Sequence, residues 1–173
     1  MKSLRGLVFI SALAVSQVFT VHAFARDLAK LYTKADFKIA SQKFTAYIAD
    51  DDDRRGQGLM QIEKIPENTG MLFVFETERV QGFWMKNTLI PLSIGFFNEK
   101  GLLIDVQEMQ TGSLMEMSPP SYRSRGPALF ALEMNTGWFQ RHGIKIGSQL
   151  IRVSKSTSQI LNEKLPLPKS PRH

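Results

Sequence analysis

From position 44 onward the chain alternates short apolar runs with turn residues at intervals of about 8–12 positions, a rhythm that suits β structure and little else. Residues 44–49 form the first good candidate strand. Residues 70–75 are apolar on both faces, which predicts a strand deep in the core. Residues 92–97 and 102–109 flank Asn98-Glu99-Lys100-Gly101, a short hairpin connection. In the second of these, Leu102, Ile104 and Val106 alternate with Asp105 and Gln107, the pattern of a half-exposed strand. Residues 128–134 place Phe130, Leu132 and Met134 on one face and Glu133 on the other. Thr136 then stands where it can cap a short helix carrying Trp138 and Phe139 and ended by Gly143. Gly147-Ser148 turns into a last strand at 149–153. No repeat and no long amphipathic helix interrupts this order. The expected fold is mainly β, a compact single-domain barrel or sandwich, jelly-roll-like, with one or two short helices.

The flanks read differently. Lys2 and Arg5 precede an apolar run that ends in Ala23-Phe24-Ala25, so residues 1–25 are expected to be a signal peptide cleaved after Ala25. The run is shorter than the roughly 20 apolar residues that span a bilayer, so no integral span is expected in the mature chain. A periplasmic or secreted location follows. Residues 26–43 look like a polar lead-in, 44–153 like the β domain, and 154–173, with Pro166, Pro168 and Pro171, like a flexible basic tail. The net charge of +6 divides unevenly: the signal and the tail carry it, whereas residues 26–151 hold 15 basic and 15 acidic side chains. A neutral folded region argues against a nucleic-acid partner. The chain has no cysteine, which removes thiol nucleophiles, disulfides and thiolate metal sites together. The domain must then be held by its core.

Few residues can carry chemistry. His142 and His173 are the histidines of the expected mature chain, and neither has metal-ligand spacing. His142 falls at a helix end, where a cation is favoured. Asp50 to Asp53 lack the Gly and Glu that a calcium loop requires, since Arg55 and Gln61 stand there. They are better read as the cap of a short helical turn. No metal or cofactor is expected. Trp84, Lys86, Asn87 and Thr88 are the densest group, lying just before Pro91, which puts the stretch at an edge or rim. They can line a shelf for a sugar or a small anion. Alternatively Phe83, Trp84 and Met85 fill core while Lys86 snorkels, and spacing alone favours that simpler reading. A Ser/Pro-rich loop at 112–127, carrying Tyr122, Arg123 and Arg125, is long for a compact β domain. It is either a lid over Trp84 or a passive connector.

The order Gly58-Leu59-Met60, then residues 70–75, then Phe83-Trp84-Met85-Lys86-Asn87-Thr88-Leu89-Ile90-Pro91-Leu92 resembles the domain of unknown function 192 family. Leu132-Glu133, Asn135, Gly137, Gly143 and Gly147 continue the resemblance. It implies a compact, predominantly β domain, often exported in bacteria, with no established activity. The family pattern usually carries Asp after Pro-Leu, where this chain has Ser93. If that acid is functional, an enzyme reading is weakened, unless another acid stands nearby in space. The leading expectation is a non-enzymatic binding module for a carbohydrate or cell-envelope polymer. Trp84, Lys86, Asn87 and Thr88 would form its shelf, with Glu133 and Asn135 nearby. One alternative is a hydrolase or transferase using Glu133 as general base and Lys86 or Asn87 to stabilise charge. Another is a purely structural interaction module.

Overall fold

A computed structural model of the chain describes residues 28–111 and 120–153. The elements run α1 (Leu28–Leu31), β1 (Thr33–Ile39), β2 (Gln42–Ala49), α2 (Asp52–Gln57), β3 (Thr69–Arg79), β4 (Gly82–Trp84), β5 (Leu92–Phe97), β6 (Leu103–Met109), β7 (Ser121–Arg123), β8 (Ala128–Asn135), α3 (Trp138–Arg141) and β9 (Leu150–Arg152). Seven strands form one curled sheet in the order β6-β5-β8-β3-β2-β1-β9, and β4 pairs with β7 in a separate two-stranded ribbon. The mainly β expectation holds, with three short helices. The expected signal peptide and tail, and part of the 112–127 loop, lie outside the described residues.

The central strands are apolar on both faces, so both faces need a cover. On one face Leu72, Val74, Leu132, Met134, Phe37 and Phe44 surround α3. Trp138 of that helix is fully buried, packs edge-on against Phe44 with ring centroids 5.4 Å apart, and donates its Nε1–H to Asn68 Oδ1 at 3.1 Å. On the other face Met71, Phe73, Ile94, Phe96 and Ala131 meet Leu59, Ile62, Ile65 and Met85.

Topology supplies that second cover. All sheet pairings are antiparallel except β2 with β3. A parallel pair needs a crossover, and the segment between these strands, with α2 in it, passes over the sheet. Asp51 caps α2 by accepting from the Arg54 N–H at 2.8 Å, as the acidic run predicts. Gly58 ends it at φ 46°, with the Phe73 ring so close that a Cβ would lie 3.2 Å away. The crossover thereby lays residues 56–60 against the Phe73 face of β3.

Three local readings are corrected. The lead-in at 26–43 contains β1, in which buried Ala35, Phe37 and Ile39 alternate with Lys34, Asp36 and Lys38 in full register with β2. Strand β6 is not simply half-exposed. Its register against β5 shifts at Phe96/Phe97, which leaves Ile104 as an extra residue. Ile104 consequently packs with one cluster and Val106 with the other, and Asp105 is buried, paired with Arg125 at 3.3 Å. Thr136 does not cap α3; Gly137 occupies the cap position and the Thr136 hydroxyl donates to Glu108 at 2.9 Å.

Gly95 of β5 lies under α3, and a Cβ there would sit 2.6 Å from Phe139 Cζ. Gly95→Ala is therefore expected to destabilise the fold by about 1–3 kcal/mol through overpacking, read by urea denaturation at unchanged m-value.

Candidate functional site

The β4–β7 ribbon pairs Phe83 with Tyr122 and Trp84 with Ser121. The two side chains of β4 part company. Phe83 goes inward, edge-on to Phe73 at 4.9 Å and to Phe96 at 5.7 Å, while Trp84 remains 53% exposed. The core-filling alternative thus holds for Met85, which is buried, but not for Trp84. After Met85 the chain turns, with the Thr88 N–H donating to the Met85 carbonyl at 3.3 Å and Asn87 at φ 54°. Asn tolerates that left-handed conformation better than most residues. The turn breaks the strand alternation. It leaves Lys86 and Asn87 outside and carries Thr88 inside, where its hydroxyl donates to the Lys86 carbonyl at 3.3 Å. Lys86 Nζ lies 5.1 Å from the Trp84 ring centroid, a cation–π contact.

Beneath this rim is a small pocket. Its walls are Phe73, Phe83, Trp84 and Thr88 on one side and Arg55 with residues 56–60 of the crossover on the other, and Glu133 forms part of its lining. A hydrogen bond from the Gln61 N–H to the Asn87 carbonyl, 2.8 Å long, clamps the crossover to the turn. Gln61 itself has φ 62°, so two residues in the left-handed region face each other across that bond. Such strain persists only where the surroundings enforce it, here at the mouth of the pocket.

Glu133 lies in the middle of β8, between Met71 of β3 and Ile94 of β5, and is only 6% exposed. No hydrogen bond or ion pair among the described residues reaches its carboxyl. Burial without a partner disfavours the carboxylate and pushes the group up to about 8. Around neutral pH it is a carboxylic acid, able to donate one hydrogen bond and accept others. Arg55 brings no free charge to it. Its guanidinium donates to the Val74 carbonyl at 2.8 Å, pairs with Asp52 at 2.6 Å and lies 5.6 Å from the Phe75 ring centroid.

Of the residues singled out from sequence, Trp84, Thr88 and Glu133 line this one pocket, and Lys86 borders it through Trp84. Asn87 acts through its backbone. Asn135 is elsewhere, donating to the carbonyls of Ile65 at 3.3 Å and Pro66 at 3.1 Å, where it ties β8 to the end of the crossover. Arg55 and residues 56–60 were missed. The glycines at 56 and 58 were the available signal, but nothing local says that this loop crosses to meet Trp84. His142 has a structural place at the end of α3, its Nδ1 2.9 Å from the Trp138 carbonyl and its ring 4.7 Å from the indole.

Ser93, where the resemblance led to the expectation of an acid, has a carboxylate beside it in space. Glu108 is the cross-strand partner of Ser93, and the Ser93 hydroxyl lies 2.7 Å from each of its carboxylate oxygens. The Gly137 N–H donates to Glu108 Oε2 at 2.9 Å and to Ser93 Oγ at 2.7 Å. Ser93 neighbours Met134, whereas Ile94 neighbours Glu133, so this cluster and the Glu133 pocket lie on opposite faces of the sheet. They are two separate places. Among the described residues no group of His, Asp or Glu is arranged to hold a metal ion, and no helix is long and apolar enough to cross a membrane.

The match that shows the family spans nearly all of the described domain. The domain of unknown function 192, described as an uncharacterized ACR, matches residues 31–151. The chain belongs to this family. Two solved structures are similar to this domain. One is a candidate transcription regulator from Sinorhizobium meliloti 1021, 31% identical, with a TM-score of 0.63 over 70% of this chain and 95% of that one. The other is a protein of unknown function from Novosphingobium aromaticivorans, 25% identical, with a TM-score of 0.59 over 69% of this chain and 84% of that one. Comparison with curated proteins gives no match.

Glu133 also makes stability depend on pH. Its native value of about 8 lies above the ordinary 4.5, so between those values the native state holds a proton that the unfolded chain has lost. Stability is expected to be highest below about pH 4.5 as far as this group is concerned. It should then fall, by at most about 1.4 kcal/mol per pH unit, until about pH 8, and level off above. Glu133→Gln should remove that slope and exceed the wild type in stability at pH 9, as read by denaturant titrations across pH.

Proposed function

We propose that this domain is a binding module whose ligand lies against Trp84 and reaches into the Glu133 pocket, with a carbohydrate or cell-envelope polymer as the ligand class. The observation that carries this reading is the pairing of a half-exposed indole at the rim with a buried, unpartnered carboxyl in the lining. Aromatic faces suit the apolar faces of sugar rings, and a few convergent polar groups fix orientation. Thr88 and protonated Glu133 supply such groups, and Lys86 adds a charge at the edge. The exposure of Trp84 also speaks against a purely structural role for this segment. An exported location, from the expected signal peptide, fits the envelope as the source of the ligand.

Hydrolysis or transfer with Glu133 as general acid or base is the second reading, favoured by its raised value. Geometry gives it less support. Among the described residues nothing hydrogen-bonds Glu133 to orient it, and Lys86 is engaged with Trp84. The transcription-regulator description of the Sinorhizobium protein suggests DNA, but the folded region is formally neutral and offers such binding no net electrostatic attraction.

A panel of glycans and peptidoglycan fragments, screened by thermal shift, tests the proposal. A true ligand at ten times its Kd stabilises by about 1.4 kcal/mol, worth several degrees in Tm, and Trp84→Ala should abolish the shift. A panel with no Trp84-dependent shift overturns the reading.

A further inference from the structure

The walls of the Glu133 pocket narrow the chemistry of its ligand. Three of the lining side chains, Phe73, Phe83 and Trp84, are aromatic, and Glu133 is the acidic one. The lining cation, Arg55, is matched by Asp52 and held by the Val74 carbonyl. The cavity, partly open to solvent, has a volume of about 30 Å³, room for a small polar group and too little to take in a sugar ring. An entering carboxylate would meet a carboxyl with no free cation beside it. An apolar group would leave Glu133 buried without a partner. A hydroxyl can satisfy it with one hydrogen bond. An ammonium group offers three donors, an opposite charge for the carboxylate and attraction to the aromatic walls. The molecule already shows that Trp84 accepts such a group, because Lys86 Nζ rests 5.1 Å from its ring centroid.

We propose that this pocket receives the terminal ammonium group of a ligand whose remaining atoms run outward along Trp84. The inference rests on the binding reading above and specifies it: the preferred envelope ligand carries a free amine, as an amino sugar or a diamino-acid side chain does. Binding moves one proton. The ligand arrives as RNH3+, the Glu133 carboxyl loses its O–H proton to solvent, and an N–H···O ion pair forms between ammonium and carboxylate. Besides Glu133, the charged residue of the lining is Arg55 from α2; Lys86, over the Trp84 ring, lies outside the lining, and β3 and β5 face the carboxyl with uncharged Met71 and Ile94.

The test uses the full chain labelled with ¹³C at glutamate carboxyls. Ethylammonium serves as the charged probe, 1-propanol as an uncharged probe of similar size, and N-acetylglucosamine as a neutral sugar. Saturating ethylammonium is expected to lower the Glu133 titration midpoint by about one unit or more, and 1-propanol to leave it in place. Ethylammonium affinity should rise about tenfold from pH 6 to pH 7, as the proton becomes easier to displace. Glu133→Gln, close to isosteric with the neutral acid, should lower that affinity at least about tenfold at pH 8. An unchanged midpoint, or equal affinity in Glu133→Gln, overturns the inference. If that variant does not fold, the midpoint in the wild type decides alone. N-acetylglucosamine separates the two failures. Trp84-dependent binding of that sugar without any ethylammonium effect sinks the amine assignment and keeps the binding module, whereas no binding of either probe, with a silent glycan panel, sinks both.

Discussion

Everything in this domain follows from the need to bury both faces of β3, β8 and β5 with a short chain that has no cross-links. The inner face is filled by one turn of helix carrying Trp138 and Phe139. The outer face is closed by the β2–β3 crossover and by the segment around Met85. Because two separate pieces of chain share the outer cover, a seam is left where they meet. Glu133 lies at that seam. A carboxyl in the central strand of an apolar sheet costs stability whenever it ionises. Burial moves the group up the pH scale, so that the domain holds it with the proton retained.

Much of this was legible in the residues. Residues 70–75 of β3 stand out as an unbroken apolar run, β5 and β8 as apolar runs broken by Ser93 and Glu133, and Asp51 announces α2. Strand β1 was hidden because Lys34, Asp36 and Lys38 make the segment look polar, although Ala35, Phe37 and Ile39 alternate beneath them. The Ile104 bulge had no local signal, since it exists only relative to the register of β5. For the site, the rim was readable and the far wall was not. Trp84 and Thr88 belong to one dense stretch, but Arg55 and residues 56–60 join them through a parallel pairing that no nearby residue encodes. Alternation in β8 sets Glu133 opposite Phe130, Leu132 and Met134. It does not say whether a partner waits on that side.

The cluster of Ser93, Glu108, Thr136 and Gly137 shows how one chemical requirement can be met from a different strand. Here the carboxylate that accepts the Gly137 N–H at the start of α3 reaches across from Glu108 on β6, with the Ser93 hydroxyl of β5 hydrogen-bonded beside it. On the face away from the Glu133 pocket, its hydrogen bonds tie β5 and β6 to the start of α3.

The curl of the sheet is drawn shut at one end by a single bridge. Leu102 pairs with Gln149, and the Leu150 N–H donates to the Gly101 carbonyl, while β9 lies against β1. The last described strand thus joins the first strand to the middle of the chain. Until residues 150–152 are available, neither the bridge nor the β1–β9 edge can form, and the cluster around α3 lacks Leu150. During that interval the unpaired β1 edge is the surface that must be kept from pairing with another strand.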